Sequence, residues 1–508
     1  MYLPRLQNDQ KLPFQPWLDS SYIAVLPYRH MVTNQEQKPF VRQTTTSIRW
    51  AAAAVIITAA LSAPPAFAQL TLGDAIRQAD RAGYGNRIAK AEASAVNARS
   101  IAPLKGILPT VHFDAGYLRT NDPIGVFGNV LRQRRVTQSN FDPQRLNYPD
   151  ALGNHQAAVV IEQPLFNADA WLARESANHA ADASRGSEEW TKLSTRVDVV
   201  RAYYGSVLAA ERASTLRVAA RAAHAHVSQA EALVRQGVAT KSDALLASVR
   251  AAELDAQVAE AEGAAATALR SLAVLLGADA LHSDASPITP SALPSGDRIA
   301  ALVAGDTAEI EPAQRADVRA AREGFDAASA NAKRARSLAI PRINSFARYD
   351  WNSASRTFGG ERNWTIGIMA TWVPFTNPSD IADIRESEGR RTAARAMAEG
   401  AEANARLELA QTRTSLQVAL ARLAIAERAV AQSAEAHRIV SRKYESGLAQ
   451  VAELLEAQAV ETRSALSFSQ ARWNAIVAAA ERRRALGRDP GYLEALDEPA
   501  SSPTSPKD

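Results

Sequence analysis

Cysteine is absent from this 508-residue chain. No disulfide can form, no thiol can act as a nucleophile, and no lipid can be attached through an N-terminal cysteine. Aromatic residues make up only 6% of the chain, and methionine occurs four times. This composition favours long helices over a large sandwich core, and it gives little support to a soft-metal relay.

The chain also lacks a strong excess of charge once its first 68 residues are set aside. Those residues contain six basic and three acidic side chains, so 52 basic and 51 acidic residues remain from the totals of 58 and 54. A near-neutral chain with mixed charges gives no indication of the basic surface that nucleic-acid binding requires. We therefore expect no nucleic-acid partner.

Catalytic and metal-binding motifs are missing from the sequence as well. It contains no glycine-rich phosphate loop, nucleophile elbow or Ser–His–Asp candidate. His224 and His226 are two residues apart, which places them on different faces of a helix, and no acid or third histidine lies one turn away. The sequence predicts no enzyme, no cofactor and no metal site.

A secretory signal is present near the start. In "SIRWAAAAVIITAALSAPPAFAQL", Arg49 lies in the basic flank, which also includes Arg42 just upstream. Residues 50–63 form the apolar run, and "AFA" is a small-residue cleavage site. Cleavage is predicted between Ala68 and Gln69. The apolar run is too short to span a bilayer comfortably. Translation from Met31 gives a leader of more ordinary length than Met1, so residues 1–30 need not be translated.

The chain repeats itself at a fixed offset. "RQGVATKSDALL" and "ESGLAQVAELLE" both interrupt a helical pattern at a glycine, and these glycines, Gly237 and Gly447, lie 210 residues apart. Gly277 and Gly487 keep the same offset. Glycines that recur at one fixed spacing indicate a tandem duplication.

Each copy reads as a helix, a β-hairpin and a long helical hairpin. The predicted organisation is a leader at 1–68, a first repeat at 69–280, a Pro/Ser-rich connector at 281–312, a second repeat at 313–488 and a disordered tail at 489–508. The β-hairpins are predicted at about 111–166 and 342–375, and the helical hairpins turn at 237 and 447.

Aromatic residues mark the predicted strands. Trp364 and Trp372 lie on one face of an alternating strand, about 27 Å apart at ~3.4 Å per residue. That spacing is close to the apolar band of an outer-membrane barrel, which is edged by aromatic girdles. Tyr117 and Tyr349 are assigned to the same girdles. Four strands cannot close a barrel, so several chains must contribute strands.

The ordered motifs "LTLGDAIRQAD", "LPTVHFDAGY", "EQPLFN", "QRADVRAAREGFDAASANA" and "RRALGRD" resemble those of the TolC-like outer-membrane efflux proteins. The likeness runs from Leu70 to near Asp489. It implies a homotrimer that combines four strands per chain into a twelve-stranded barrel in outer-membrane lipid, continued by a long periplasmic tube of helices. It also implies an exit duct for efflux or type I secretion, working with a periplasmic adaptor and an inner-membrane pump.

The resemblance further implies a gate where the helical hairpins turn. The gate positions here are Asp243, Tyr444, Glu453 and Glu456, and Gly237 and Gly447 mark the tips that meet the adaptor. We expect Tyr444 to hydrogen-bond the Asp243 carboxylate. Rings of Glu453 and Glu456 in a trimer would make a cation-preferring, acid-sensitive constriction. Where relatives can carry an arginine two residues after the second glycine, this chain has Ala449, so Lys241, Arg442 or Lys443 would have to supply the link between subunits.

A periplasmic coiled-coil adaptor or scaffold is the alternative. Such a protein also has a signal peptide and long helical hairpins, but it would normally carry one hairpin between β-rich domains. Drugs, metals, solvents and secreted proteins all remain open as cargo, as do the pump class and the resting state of the gate.

Overall fold

The computed structural model of the protein describes residues 70–278, 292–305, 311–337, 339–374 and 378–497. The leader and the cleavage site between Ala68 and Gln69 lie outside these ranges. Within them, none of the helices combines the length and the apolar character needed to cross a membrane.

The first repeat begins with two short helices and continues into a β-hairpin and a long helical hairpin. Its elements are α1 (Leu72–Ala82), α2 (Tyr84–Arg99), β1 (Thr110–Thr120), α3 (Pro123–Arg132), α4 (Pro143–Asn147), β2 (Leu152–Phe166), α5 (Ala168–Arg235) and α6 (Lys241–Leu275).

After a short helix in the connector, the second repeat also runs through a helix, a β-hairpin and a long helical hairpin, with no helix between its two strands. Its elements are α7 (Gly296–Ala304), α8 (Ala316–Ser337), β3 (Arg342–Ser353), β4 (Glu361–Thr371), α9 (Pro378–Glu445) and α10 (Val451–Ala485). The predicted connector at 281–312 therefore contains a helix in its described part.

The duplication is visible in the element bounds. Helices α5 and α9 are both 68 residues long, α6 and α10 are both 35 residues long, and each pair is offset by 210 residues. At 1.5 Å per residue, each longer helix extends about 100 Å. Residues 168–235 contain no proline and are rich in alanine, which favours an uninterrupted helix.

The main core lies halfway along the helices. There α5 packs against α1, α6 and α10 around fully buried side chains, including Leu72, Val200, Tyr203, Leu272 and Ile476. Many of the other buried residues are alanines, whose small side chains let neighbouring helix backbones approach closely.

The predicted disordered tail is wrong for its first residues. Pro490–Leu496 form a 3-10 helix that buries Leu493 completely. The carboxylate of Asp497 then accepts hydrogen bonds from the Tyr203 and Tyr204 hydroxyls, each at 2.9 Å, and from the Leu72 amide at 2.6 Å. Because the tail is polar in composition, its sequence did not predict that Leu493 and Asp497 hold it against the helices.

The four strands form one antiparallel sheet in the order β1-β2-β3-β4. The loop between β1 and β2 contains α3 and α4, whereas the loop between β3 and β4 spans only 354–360. The connection between β1 and β2 is therefore partly helical.

Candidate functional site

The two helical hairpins turn through the same backbone motif. Gly237 has φ +76° and Gly447 has φ +73°, a left-handed conformation that side chains with a Cβ rarely adopt. At the first turn the Gly237 and Val238 amides donate to the Val234 and Leu233 carbonyls, both at 3.0 Å. These bonds form a Schellman cap.

The second turn repeats the cap. The Gly447 amide donates to the Tyr444 carbonyl at 3.0 Å, and the Leu448 amide donates to the Lys443 carbonyl at 2.8 Å. The sequence pattern correctly located both turns because only glycine fits this backbone conformation without strain.

Asp243 has a structural role that was not predicted from the sequence. Its carboxylate accepts hydrogen bonds from the Thr240 amide at 2.9 Å and the Thr240 hydroxyl at 2.8 Å, while the Thr240 hydroxyl accepts from the Asp243 amide. This is a capping box at the start of α6, and the spacing Thr-x-x-Asp is its sequence signature. These bonds, first from the backbone and then from the side chain of Thr240, lower the pKa of Asp243.

The expected hydrogen bond between Tyr444 and Asp243 is absent. Tyr444 is 5% exposed and packs in a cluster with Ala230, Ala247, Val451 and Leu454, and its hydroxyl has no hydrogen-bond partner among the described residues. Burial, and then the nearby Asp243 charge, raise the pKa of Tyr444. The Asp243 carboxylate is instead hydrogen-bonded by Thr240 through its Oδ2 atom.

Glu453 and Glu456 lie together on the exposed side of α10. Val451, Leu454, Leu455 and Gln458 are buried on the opposite side, as a period of 3.6 residues requires. Among the described residues, neither glutamate forms an ion pair. Two unneutralised carboxylates therefore project from the hairpin just after its turn.

The sheet has two chemically different faces. Residues paired across neighbouring strands point to the same side, so the register defines each face. One face carries Val111, Phe113, Tyr117, Val159, Ile161, Tyr349, Trp364, Ile366 and Ile368. The other carries His112, Asp114, Asn154, Arg348, Asp350, Asn352 and Thr365 among its members.

The apolar face is exposed in the single chain. Trp364 is 72% exposed, Ile366 71% and Ile368 73%. A contiguous apolar surface of this kind marks a region that something else covers. The alternation of apolar and polar residues along each strand is that of a membrane barrel with a polar interior.

The four aromatic residues assigned to the girdles lie at three heights along the sheet. Trp364 pairs with Tyr349 across β3 and β4, and Tyr117 lies on the row of His155 and Ser353, four residues further along the strands. Trp372 follows β4 by one residue, and its indole N–H donates to the Ala339 carbonyl at 3.0 Å. The aromatics therefore extend from the helix junction toward the distal loops.

The outer membrane efflux protein family model matches residues 87–278 and 311–488. These two segments cover most of the chain and coincide with its two repeats. The chain belongs to the outer membrane efflux protein family. It is an outer-membrane channel of the TolC type, and it provides the exit duct of a pump.

Solved structures share the fold of this efflux protein. The outer-membrane channel OprN matches with a TM-score of 0.68 at 20% identity, covering 83% of this chain and 91% of its own. A membrane protein from Pseudomonas aeruginosa matches with a TM-score of 0.70 at 20% identity, covering 82% and 93%. VceC from Vibrio cholerae matches with a TM-score of 0.67 at 19% identity, covering 82% and 96%. No curated protein matches the chain.

The tips of this efflux protein expose apolar side chains. Val238 is 66% exposed and Leu448 is 79% exposed. Each directly follows its turn glycine, so the two residues keep the offset of 210. This matched pair of exposed apolar residues at the turns offers a contact point that was not among the residues predicted from the sequence.

The basic residues expected to replace the missing arginine are free of ion pairs. Lys241, Arg442 and Lys443 are exposed, and none forms a salt bridge among the described residues. Ala449 packs instead against the cluster that contains Tyr444. A single chain of this efflux protein therefore leaves both signs of charge unpaired near its tip.

Proposed function

We propose that this efflux protein works as a homotrimer whose chains each contribute four strands to a twelve-stranded barrel. The observation that carries this proposal is the pair of free sheet edges. Within the described ranges, no strand pairs with the outer edge of β1 or of β4. Because unpaired backbone groups are costly in lipid, β4 of one chain must pair with β1 of the next.

Engineered disulfides test this arrangement cleanly because the chain has no cysteine of its own. Ala115→Cys on β1 is combined in turn with Arg362→Cys, Trp364→Cys and Ile366→Cys on β4, since the register between chains is the unknown. We expect at least one combination to give a covalent trimer on a non-reducing gel after oxidation in the outer membrane, and each single variant to remain monomeric.

The control and the contradicting result are both visible on the same gel. Reduction must return the trimer band to monomer. Covalent dimers without any trimer, or no cross-link from the whole panel, would contradict the proposed barrel.

The same proposal assigns the partners of the channel. Outer-membrane lipid covers the apolar face of the sheet, and the polar face lines the lumen. A periplasmic adaptor contacts the tips at Gly237 and Gly447, where Val238 and Leu448 are exposed, and links the duct to an inner-membrane pump. A signal peptide cleaved between Ala68 and Gln69 directs export, and the chain carries no lipid on cysteine.

The unpaired glutamates support a gate at the tip. In a trimer, Glu453 and Glu456 would form two rings of three carboxylates, one helical turn apart. Rings of carboxylates attract cations and repel anions. We assign Asp243 and Tyr444 to the support of this gate: Asp243 by capping α6, and Tyr444 by packing the two hairpins together.

Replacing both glutamates should remove the cation preference. For the purified trimer in a planar bilayer, we expect Glu453→Gln/Glu456→Gln to lower the cation-to-anion permeability ratio toward that of a neutral pore. Glu399→Gln is the control, because this exposed glutamate lies on α9 some 46 residues before its end, or about 69 Å along the helix. An unchanged ratio in the double variant would exclude the carboxylate rings as the selectivity element.

The alternative of a periplasmic adaptor or scaffold is disfavoured by the family membership and by the exposed apolar sheet face. A soluble scaffold would wash off membranes in carbonate, whereas a barrel inserted in lipid would resist extraction.

A further inference from the structure

A histidine and two carboxylates meet between α5 and α8, far along the chain from one another. His179 lies on α5, and Glu323 and Asp326 lie on α8, so the histidine is separated from the acids by more than 140 residues. One ligand atom from each of the three side chains lies within 4.8 Å of the other two. Spacing in the sequence could not reveal this group, because its members come from different repeats.

The charge around this group favours a cation. Glu175, one turn before His179 on α5, adds a third carboxylate to its surroundings. Among the described residues, Glu175, Glu323 and Asp326 form no ion pair with any arginine or lysine. Arginines neutralise many other carboxylates of the chain, whereas the partner of this cluster in the part that the structure describes is the His179 imidazole.

Packing holds the cluster in place. The His179 Nδ1 atom lies 2.7 Å from the Glu323 carboxylate, and the Ser176 hydroxyl donates to the Ala327 carbonyl at 2.8 Å on the same helix pair. Further along, Gly186 lets α5 approach α8 so closely that an added Cβ would lie 2.9 Å from the Ala316 carbonyl oxygen. The two helices therefore form a rigid platform for the ligands.

A metal ion between α5 and α8 can contact all three side chains at once, because their ligand atoms lie within 4.8 Å of one another.

We propose that His179, Glu323 and Asp326 form a binding site for a divalent transition metal, with zinc as the fitting ion. One imidazole nitrogen and two carboxylate oxygens match the ligands that zinc accepts at about 2.0–2.2 Å. Ligands around one zinc ion lie within roughly 4 Å of one another, a separation that small side-chain rotations supply here. Water completes the coordination.

The proposed zinc joins the two repeats of one chain. It links the N-terminal part of α5, which follows β2, to α8, which precedes β3. The inference concerns contacts inside a single chain and does not depend on the trimer or on the gate. Failure of either of those proposals would leave it intact.

The test is metal retention by the purified full-length channel, prepared without a polyhistidine tag and stripped with a chelator. After equilibrium dialysis against zinc in excess magnesium, we expect one tightly held zinc ion per chain. His179→Gln keeps a hydrogen-bond donor toward Glu323 but lacks the ring nitrogens. It should weaken zinc binding by more than about 100-fold, beyond the range for loss of an outer-shell partner.

His224→Gln is the matched control. His224 also pairs with one carboxylate, Asp255, at 3.0 Å. No third ligand lies beside it within the described ranges, so its removal should leave zinc retention unchanged. A second readout is the melting temperature, which zinc should raise in the wild-type protein and in His224→Gln but not in His179→Gln.

Two results would overturn the proposal. Equal zinc retention by the wild-type protein and His179→Gln would show that the histidine is not a ligand. Displacement of zinc by magnesium would show that the cluster is only an acidic patch with no preference for a transition metal.

Discussion

Replacing Ile366 with arginine is expected to prevent stable insertion of the channel into the outer membrane. Ile366 lies at the middle of β4 on the apolar face and is 71% exposed in the single chain. An arginine on the lipid side of a barrel near the bilayer midplane costs about 2–4 kcal/mol. In a homotrimer that cost recurs in each subunit, so the fraction of assembled protein should fall sharply.

Met369→Arg is the matched control for this change. Met369 is on the same strand and is 52% exposed, but it pairs with Asn344 on the polar face of the sheet. The new charge would therefore point into the lumen, where water is available. We expect normal amounts of this variant in the outer-membrane fraction.

The measurement is the amount of trimer that resists carbonate extraction from isolated outer membranes. Equal recovery of Ile366→Arg and Met369→Arg would contradict the assignment of the two faces. Loss of both would indicate that β4 tolerates no long charged side chain on either side, and it would also remove the support for a polar lumen.

The second large effect is expected at Arg315, whose side chain is 2% exposed. Its guanidinium donates to Asp317 at 2.8 Å and to Glu408 at 2.7 Å. It also donates to the Ala485 carbonyl at 3.2 Å and lies 4.4 Å from the centre of the Trp190 ring. One buried cation thus connects α8 with α5, α9 and α10.

Neutralising both acids should leave this cation buried without a counter-charge. We expect Asp317→Asn/Glu408→Gln to destabilise the fold by roughly 3 kcal/mol, the lower end of the range for a broken buried pair. The lower end applies because the two carboxylates are themselves 27% and 24% exposed. The measurement is the melting temperature of the purified protein in detergent.

Two further variants separate the causes. Glu399→Gln removes a carboxylate from the exposed pair with Arg395 on the same helix, and it should change the stability by less than about 1 kcal/mol. Adding Arg315→Met to the double variant removes the buried charge and should recover part of the loss. If the double variant has the same melting temperature as the wild-type protein, the predicted importance of the buried charge is contradicted.

Local rules were sufficient where a backbone conformation is open to essentially one residue type. The turns at Gly237 and Gly447 were located correctly because a left-handed backbone nearly always requires glycine. The tandem duplication was equally visible, because both copies place the same residue types at one offset. The family likeness followed from the order of these motifs and is confirmed by the family match to both repeats.

Side-chain partners were harder to predict from sequence. The Tyr444 hydroxyl was expected to bond Asp243, but the Asp243 carboxylate is taken up by Thr240, three residues before it. The Thr-x-x-Asp pattern could have indicated this competitor. For Asp497, which anchors Leu72 and two buried tyrosines, no local pattern exists, because its partners lie more than 290 residues away.

The sequence by itself determined the periodic features of this protein: its long alanine-rich helices, its alternating strands, its turn glycines and its duplication. The helices, strands and turns depend on neighbours within a few residues, and the duplication appears as the same residue types at one offset, so all of them can be read along the chain. The tertiary structure alone decided which charges meet. Arg315 meets Glu408 only because α8 packs against α9 within the second repeat, and His179 meets Glu323 and Asp326 only because α5 of the first repeat packs against α8 of the second. Electrostatic and ligand interactions depend on distances of a few ångströms in space, and those distances are set by the packing.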